Sequence, residues 1–247
     1  MTTTRLVRIV QFSSLFGLAL GLGLGCGGGG DPHSPDAALG SAASKITVAG
    51  TAKAQGLSST PLAGVAIAAY RNADEATPIA TATTDTQGAY SMEIQTGGVA
   101  IDGYIKATIG SYLDSYLYPP APLGQDFTNA AINLVTTQTV GAFGNLCGVT
   151  IAATDGVIAV EVASAAGMAV AGATVASTPA AAHYCYNGAS ASIPDHNATM
   201  TSTDGIAYML SVSGSASVTA TKSGATFAAH TVNARPGALT TTIISGQ

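Results

Sequence analysis

The sequence predicts an all-β protein: two tandem antiparallel β-sandwiches with one short helix between them. Three observations carry this. Hydrophobic residues make up 47% of the chain, charged residues only 9%, and there are 30 glycines. Small, β-branched and hydroxyl-bearing side chains suit pleated strands, and glycine suits the turns that join them. Apolar and polar residues alternate, with Tyr90, Met92 and Ile94 on one face and Ser91 and Glu93 on the other. That is the period of a half-buried antiparallel strand. Finally, one order of strands and turns occurs twice, each time over roughly the 90 residues that a sandwich of about seven strands needs.

The N-terminus reads as an address. Arg5 and Arg8 form a positive start, an apolar stretch follows to Leu24, and the run closes in Gly23-Leu24-Gly25-Cys26. It is too short for a membrane span and has the small residues of a processing site. This segment resembles the lipobox of bacterial lipoproteins, although leucines stand at 22 and 24 where that motif has one at 23. The resemblance implies that residues 1–25 are a signal peptide and that Cys26 is acylated. An ordinary signal peptide cut elsewhere is the alternative. Residues 26–44, rich in Gly, Ala and Ser, read as a flexible tether. Gly27 is not the Asp that resembles an inner-membrane retention signal, so the expected location is exported and lipid-anchored, at the outer membrane or cell surface. No second apolar run approaches a spanning length.

The formal net charge is −5. Removing Arg5 and Arg8 leaves six basic residues against 13 acidic ones, a net −7. Scattered Lys and Arg make no patch for nucleic acid or anionic lipid, so no nucleic-acid partner is expected. The expected contacts are the membrane through the lipid anchor, and polysaccharide or another envelope protein.

The first sandwich is expected over 45–135. It opens with Ile46-Thr-Val48, turns at Ala63-Gly64, and has the segment Thr83-Thr84-Asp85-Thr86-Gln87-Gly88 leading into Ala89-Tyr90. Gly64 and Gly88 supply tight turns, and the Asp85 carboxylate can accept from backbone N–H groups of its own turn. The linker, 136–155, holds the helix. Thr136 or Thr137 caps it, and Val140, Phe143, Leu146 and Cys147 form its apolar side. The second sandwich, 156–247, repeats the order with Val157–Val162, Ala171-Gly172 and Ser202-Thr203-Asp204-Gly205. Its turn reads one residue shorter, and Tyr208, Leu210 and Val212 read as one face. With Cys26 acylated, Cys147 and Cys185 remain, and an oxidising compartment favours a disulfide over two buried thiols.

Leu62–Ile67 and Thr83–Ser91 resemble the carboxypeptidase regulatory-like domain, a transthyretin-like (prealbumin-like) sandwich with a carbohydrate-binding-like fold. The resemblance implies a spacer or interaction module and no chemistry of its own. The related repeats of collagen adhesins form isopeptide bonds from Lys, Asn or Asp, and a buried Glu. The counterparts here are Lys53, Asn133 and Glu93, yet Glu93 falls opposite the Tyr90 face, so solvated charges are expected.

No catalytic residues and no cofactor are predicted. There is no Gly-x-Ser-x-Gly elbow. His183, Cys185, Asp195 and His196 lie in one region, but a zinc site needs several of them facing inward, and a solvated loop is the expectation. A hydrolase would have to use His183 or His196. The segment Ser111–Pro122 offers a candidate ligand face. With Leu113 and Leu117 inward, Tyr112, Asp114, Tyr116 and Tyr118 point outward together, ready to stack on a sugar or a protein. The alternative packs those tyrosines against the other sandwich. The expected function is a non-enzymatic structural or interaction module of the cell envelope, with carbohydrate binding through the tyrosine face as the alternative.

Overall fold

The computed structural model describes residues 40–56, 59–189 and 193–247. The signal segment 1–25, Cys26 and most of the tether lie outside the described residues. The strands are β1 (Lys45–Ala54), β2 (Thr60–Pro61), β3 (Ala66–Arg71), β4 (Ala80–Thr83), β5 (Ala89–Gln95), β6 (Gly103–Thr108), β7 (Ser115–Tyr118) and β8 (Ile132–Leu134). Helix α1 (Thr137–Leu146) follows. Then come β9 (Gly156–Ala163), β10 (Thr174–Thr178), β11 (His183–Asn187), β12 (Pro194–Asp195), β13 (Ile206–Val212), β14 (Gly214–Thr221), β15 (His230–Ala234) and β16 (Leu239–Ser245). The chain is all-β with one helix, as predicted. It is tied down earlier than the tether reading has it, because Ala42 donates to Gly98 O at 3.0 Å and Ala43 to Gly124 O at 3.0 Å.

The alternation in β1 and β5 builds the first core. Ile46 and Val48 pair with Ile94 and Met92, and all four are buried. Gly50 lies opposite Tyr90, whose hydroxyl donates to Ala130 O at 2.7 Å. A Cβ at residue 50 would run into that same Ala130 carbonyl, so only glycine lets the 130 segment cross. This sheet, with β2 and β8, packs on β3, β6 and β7 through Ile67, Ile105 and Leu117.

The turns repeat at the level of single hydrogen bonds. Thr84 Oγ1 donates to Leu62 O at 2.6 Å and accepts from Val65 N–H at 2.9 Å. Thr201 Oγ1 donates to Val170 O at 2.7 Å and accepts from Ala173 N–H at 2.9 Å. Gly88 N–H bonds Asp85 O and Gly205 N–H bonds Ser202 O, both at 3.0 Å, and both glycines have positive φ. The second turn is therefore the same length as the first, which corrects the shorter turn read from the sequence. Ser202 takes the backbone place of Asp85, and the carboxylate moves to Asp204, whose Oδ1 accepts from Ile206 N–H at 3.1 Å.

The halves do not sit apart on a linker. One nine-stranded sheet runs β12-β11-β13-β9-β16-β7-β6-β3-β4 through both. Strand β16 lies between β9 and β7, parallel to each, with Thr240 beside both Ile158 and Tyr116. The sandwiches are thus antiparallel except where β16, and β8 on β1, add parallel pairs. In the second half, one face of this sheet packs on the three-stranded sheet β10-β14-β15. The other face lies under α1.

Both faces of β13 are consequently buried. Ala207 and Met209 face the sandwich, while Tyr208 and Leu210 face the helix. Val212 does not continue the Tyr208 face as the alternation predicts. The register shifts between Leu210 and Val212, with Ser211 at φ 57°, and the bulge turns Val212 over into the sandwich core.

The helix matches its reading. Thr136 caps it, with Oγ1 accepting from Thr139 N–H at 3.1 Å. Phe143 packs edge-on to Tyr208 with ring centroids 4.3 Å apart. Leu146, expected on the apolar side, is exposed. The Cys147–Cys185 disulfide is formed and ties the end of α1 to β11.

Candidate functional site

The predicted tyrosine face exists as a face, but it is covered. Tyr116 and Tyr118 share one side of β7, as alternation requires, yet both are buried. They join Tyr104 of β6 and Tyr70 of β3, whose rings stack on one another at 5.4 Å. Tyr104 lies 5.6 Å from Tyr116 and 5.3 Å from Tyr118. Across this cluster lies Arg235, which follows β15 in the other half. Its guanidinium sits 4.1 Å above the Tyr116 ring and 4.5 Å above Tyr104. It donates to Tyr118 Oη at 3.1 Å and to Glu75 Oε1 at 2.7 Å. Burial pushes the Tyr104 hydroxyl up to about 12, against the opposing pull of Arg235.

This arrangement corrects the ligand-face reading. Tyr112 is not on the face at all and packs against the first core. Asp114 holds Lys106 at 2.8 Å. Tyr116 and Tyr118 are packed against the second half, so they form an inter-sandwich clasp. The sequence signal was the right spacing of aromatic residues. What it lacked was any mark that an arginine more than a hundred residues later would cover them.

The other nominated groups are placed as follows. Cys185 is in the disulfide, and His183 and His196 are exposed. Among the described residues no three His, Cys, Asp or Glu side chains gather to hold a metal. Lys53 is the register partner of Asn133, but Glu93 pairs with Lys45 at 2.6 Å and lies opposite Thr47, far along the strand.

Sequence reasoning did not single out Glu161. It sits on β9 between Ile206 of β13 and Ile243 of β16, and it is 9% exposed. Among the described residues its carboxyl accepts no hydrogen bond and meets no cation; the ion pairs are Lys45–Glu93, Lys106–Asp114, His196–Asp195 and Arg235–Glu75. Burial, with Asp204 nearby, pushes its carboxyl up to about 7. Asp204 itself is well held, by Asn187 Nδ2 at 2.7 Å and Ser202 Oγ at 2.9 Å. Glu161 faces a cleft of about 540 Å³. One wall is Pro119, Pro120 and Pro122, just after β7, and the other carries Ile243 and Ser245. The only sequence signal was a charge in the otherwise apolar run Val157–Val162.

No protein-family model matches the chain, and no curated protein matches it. Solved structures do. The shaft pilin SpaA of Lactobacillus rhamnosus GG is 13% identical, with 82% of this chain and 98% of that chain covered and a TM-score of 0.26. The minor pilin GBS52 of Streptococcus agalactiae is 12% identical, with 81% and 95% covered and a TM-score of 0.28. The Bacillus anthracis TIE protein is 11% identical, with 82% of this chain but 34% of that chain covered and a TM-score of 0.25.

Proposed function

We propose that this is a non-enzymatic cell-envelope protein, exported and lipid-anchored through Cys26, whose paired sandwiches act as one structural or interaction module of the carboxypeptidase regulatory-like kind. The observation that carries the reading is the shared strand β16. A strand flanked in parallel by β9 and β7 fuses the halves into one body, and the Arg235 clasp locks them from one face. The groups that looked chemical serve that body. The cysteines bridge, the tyrosines pack, and Asp85 accepts from Gln87 and Ala89 N–H within its own turn. A sugar-binding role would have to use a surface other than Tyr112–Tyr118.

The test is the intact mass of the protein extracted from membranes. An N-terminus at Cys26 carrying three acyl chains, with a gain of two hydrogen masses on reduction, is the expected result. An unacylated chain starting elsewhere would remove the anchor from the reading.

A further inference from the structure

The cleft beside Glu161 has the chemistry of a receptor for a cation. Its floor holds Glu161, a residue only 9% exposed whose carboxyl has no partner among the described residues. A buried carboxylate without a counter-charge is costly, and the neighbouring Asp204 adds to that cost rather than relieving it. One wall is built from Pro119, Pro120 and Pro122, which have apolar rings and no N–H to donate. Ser245 adds a hydroxyl, and Asp126 brings a second carboxylate to the lining. Apolar walls with acceptors and an acid at the bottom fit a long aliphatic stem that ends in N–H donors. Among the described residues no Lys or Arg meets the Glu161 carboxyl. Residues 26–39, which precede the Gly40–Ser41 rim of the cleft, contain neither Lys nor Arg. The protein is acidic overall, which draws basic partners toward it.

The geometry points to a docking site for a basic side chain, lysine or arginine, of a partner polypeptide, with Glu161 as its counter-ion. This deepens the reading of the protein as an interaction module and rests on it. The two fail separately, because the anchor is read from the mass of the Cys26 terminus and the cleft from ligand binding.

The experiment titrates the full-length protein with N-acetyl-lysine amide, N-acetyl-arginine amide and N-acetyl-norleucine amide, followed by calorimetry. Saturation by one or both cationic amides is expected near about 10 mM, with the norleucine amide at least about tenfold weaker. Which cation binds more tightly identifies the side chain. Glu161→Gln, checked as folded by its thermal transition, lowers the affinity by about tenfold or more. The wild-type protein provides a second readout. The probes stay charged, so affinity rises by about tenfold between about pH 6 and about pH 8 as Glu161, which has Asp204 beside it and Asp126 in the same lining, ionises. Equal binding of all three amides, no binding, an unchanged affinity in Glu161→Gln, or a flat pH profile overturns the assignment. So does saturation by calcium in place of the amides, which would make the cleft a metal site.

Discussion

Replacing Glu161 by Gln should make the protein more stable, and only above a certain pH. Burial between Ile206 and Ile243, next to Asp204, raises the carboxyl from its ordinary value near 4.5 to about 7. The folded state therefore holds a proton that the unfolded chain releases between those two values. Stability contributed by this group is fully present below pH 4.5 and is lost as pH rises toward 7. At about 1.4 kcal/mol per pH unit the loss amounts to about 3 kcal/mol. A glutamine has nearly the shape of the protonated acid and does not titrate. Urea unfolding of both proteins from pH 4.5 to 8 should give matching free energies at the acid end. A gap opens with rising pH and levels near 3 kcal/mol, in favour of the glutamine. Burial lowers the His230 pKa, which makes the fold lose stability on acidification, but that contribution is common to both proteins and cancels in the difference. Parallel curves with one fixed gap would show that the Glu161 carboxyl is solvated, and would refute the burial argument.

The remaining predictions concern the clasp between the halves, the disulfide and the two matching turns. Arg235→Ala removes a guanidinium stacked on Tyr104 and Tyr116 and hydrogen bonds to Tyr118 and Glu75, so urea unfolding should show a loss of about 3 kcal/mol. Arg235→Lys should recover less than half of it, because an ammonium cannot stack and fork together. Reducing Cys147–Cys185, which closes a separation of 38 residues, should lower stability by about 4 kcal/mol, measured with and without reductant. Thr84→Val and Thr201→Val each delete one donated and one accepted hydrogen bond in matching turns, so each should cost about 1–3 kcal/mol and the two values should agree. A large inequality would mean that the turns are alike in outline only.

The repeat was legible because each turn is written in residues with one physical use. A glycine at positive φ leaves few alternatives, so Gly64 and Gly172 mark the same turn in both halves, whereas Thr201, the counterpart of Thr84, stands one residue before the Ser202–Gly205 segment and was missed. The helix was legible for the same reason, through Thr136. The shared sheet was not. Strand β16 reads Leu-Thr-Thr-Thr-Ile-Ile-Ser, and three threonines in a row look half-exposed. In the fold all three are buried, and their hydroxyls donate to Asn233, Tyr116 and Tyr118 carbonyls at 3.2, 3.3 and 3.2 Å. A threonine that returns its proton to a nearby backbone can occupy the centre of a sheet, and the sequence does not distinguish it from one at the surface. The tyrosine face failed for a related reason. Alternation assigns side chains to faces, but only tertiary structure decides what lies over each face.

The seam that holds the molecule together also opens the cleft. Strand β7 ends its pairing with β16 at Tyr118 beside Thr242, because Pro119 and Pro120 cannot donate to a ladder and turn the chain away. Strands β16 and β9 run on together for three further pairs, Ile243–Glu161, Ile244–Val162 and Ser245–Ala163. Two strands thus extend past the point where the third departs, and the space between them and the proline segment is the cleft. Glu161 lies on the first of the three pairs, where the sheet has lost one neighbour and the sandwich has not yet closed over it. A carboxyl placed there is shielded by strands on both sides and open toward the proline wall, which accounts for its burial without a partner among the described residues. The cleft lies where β16 of the second half is flanked by β9 of its own half and by β7 of the first. The site therefore belongs to the fusion of the two halves rather than to either repeat, and a chain with the same turns but separated sandwiches should lack it.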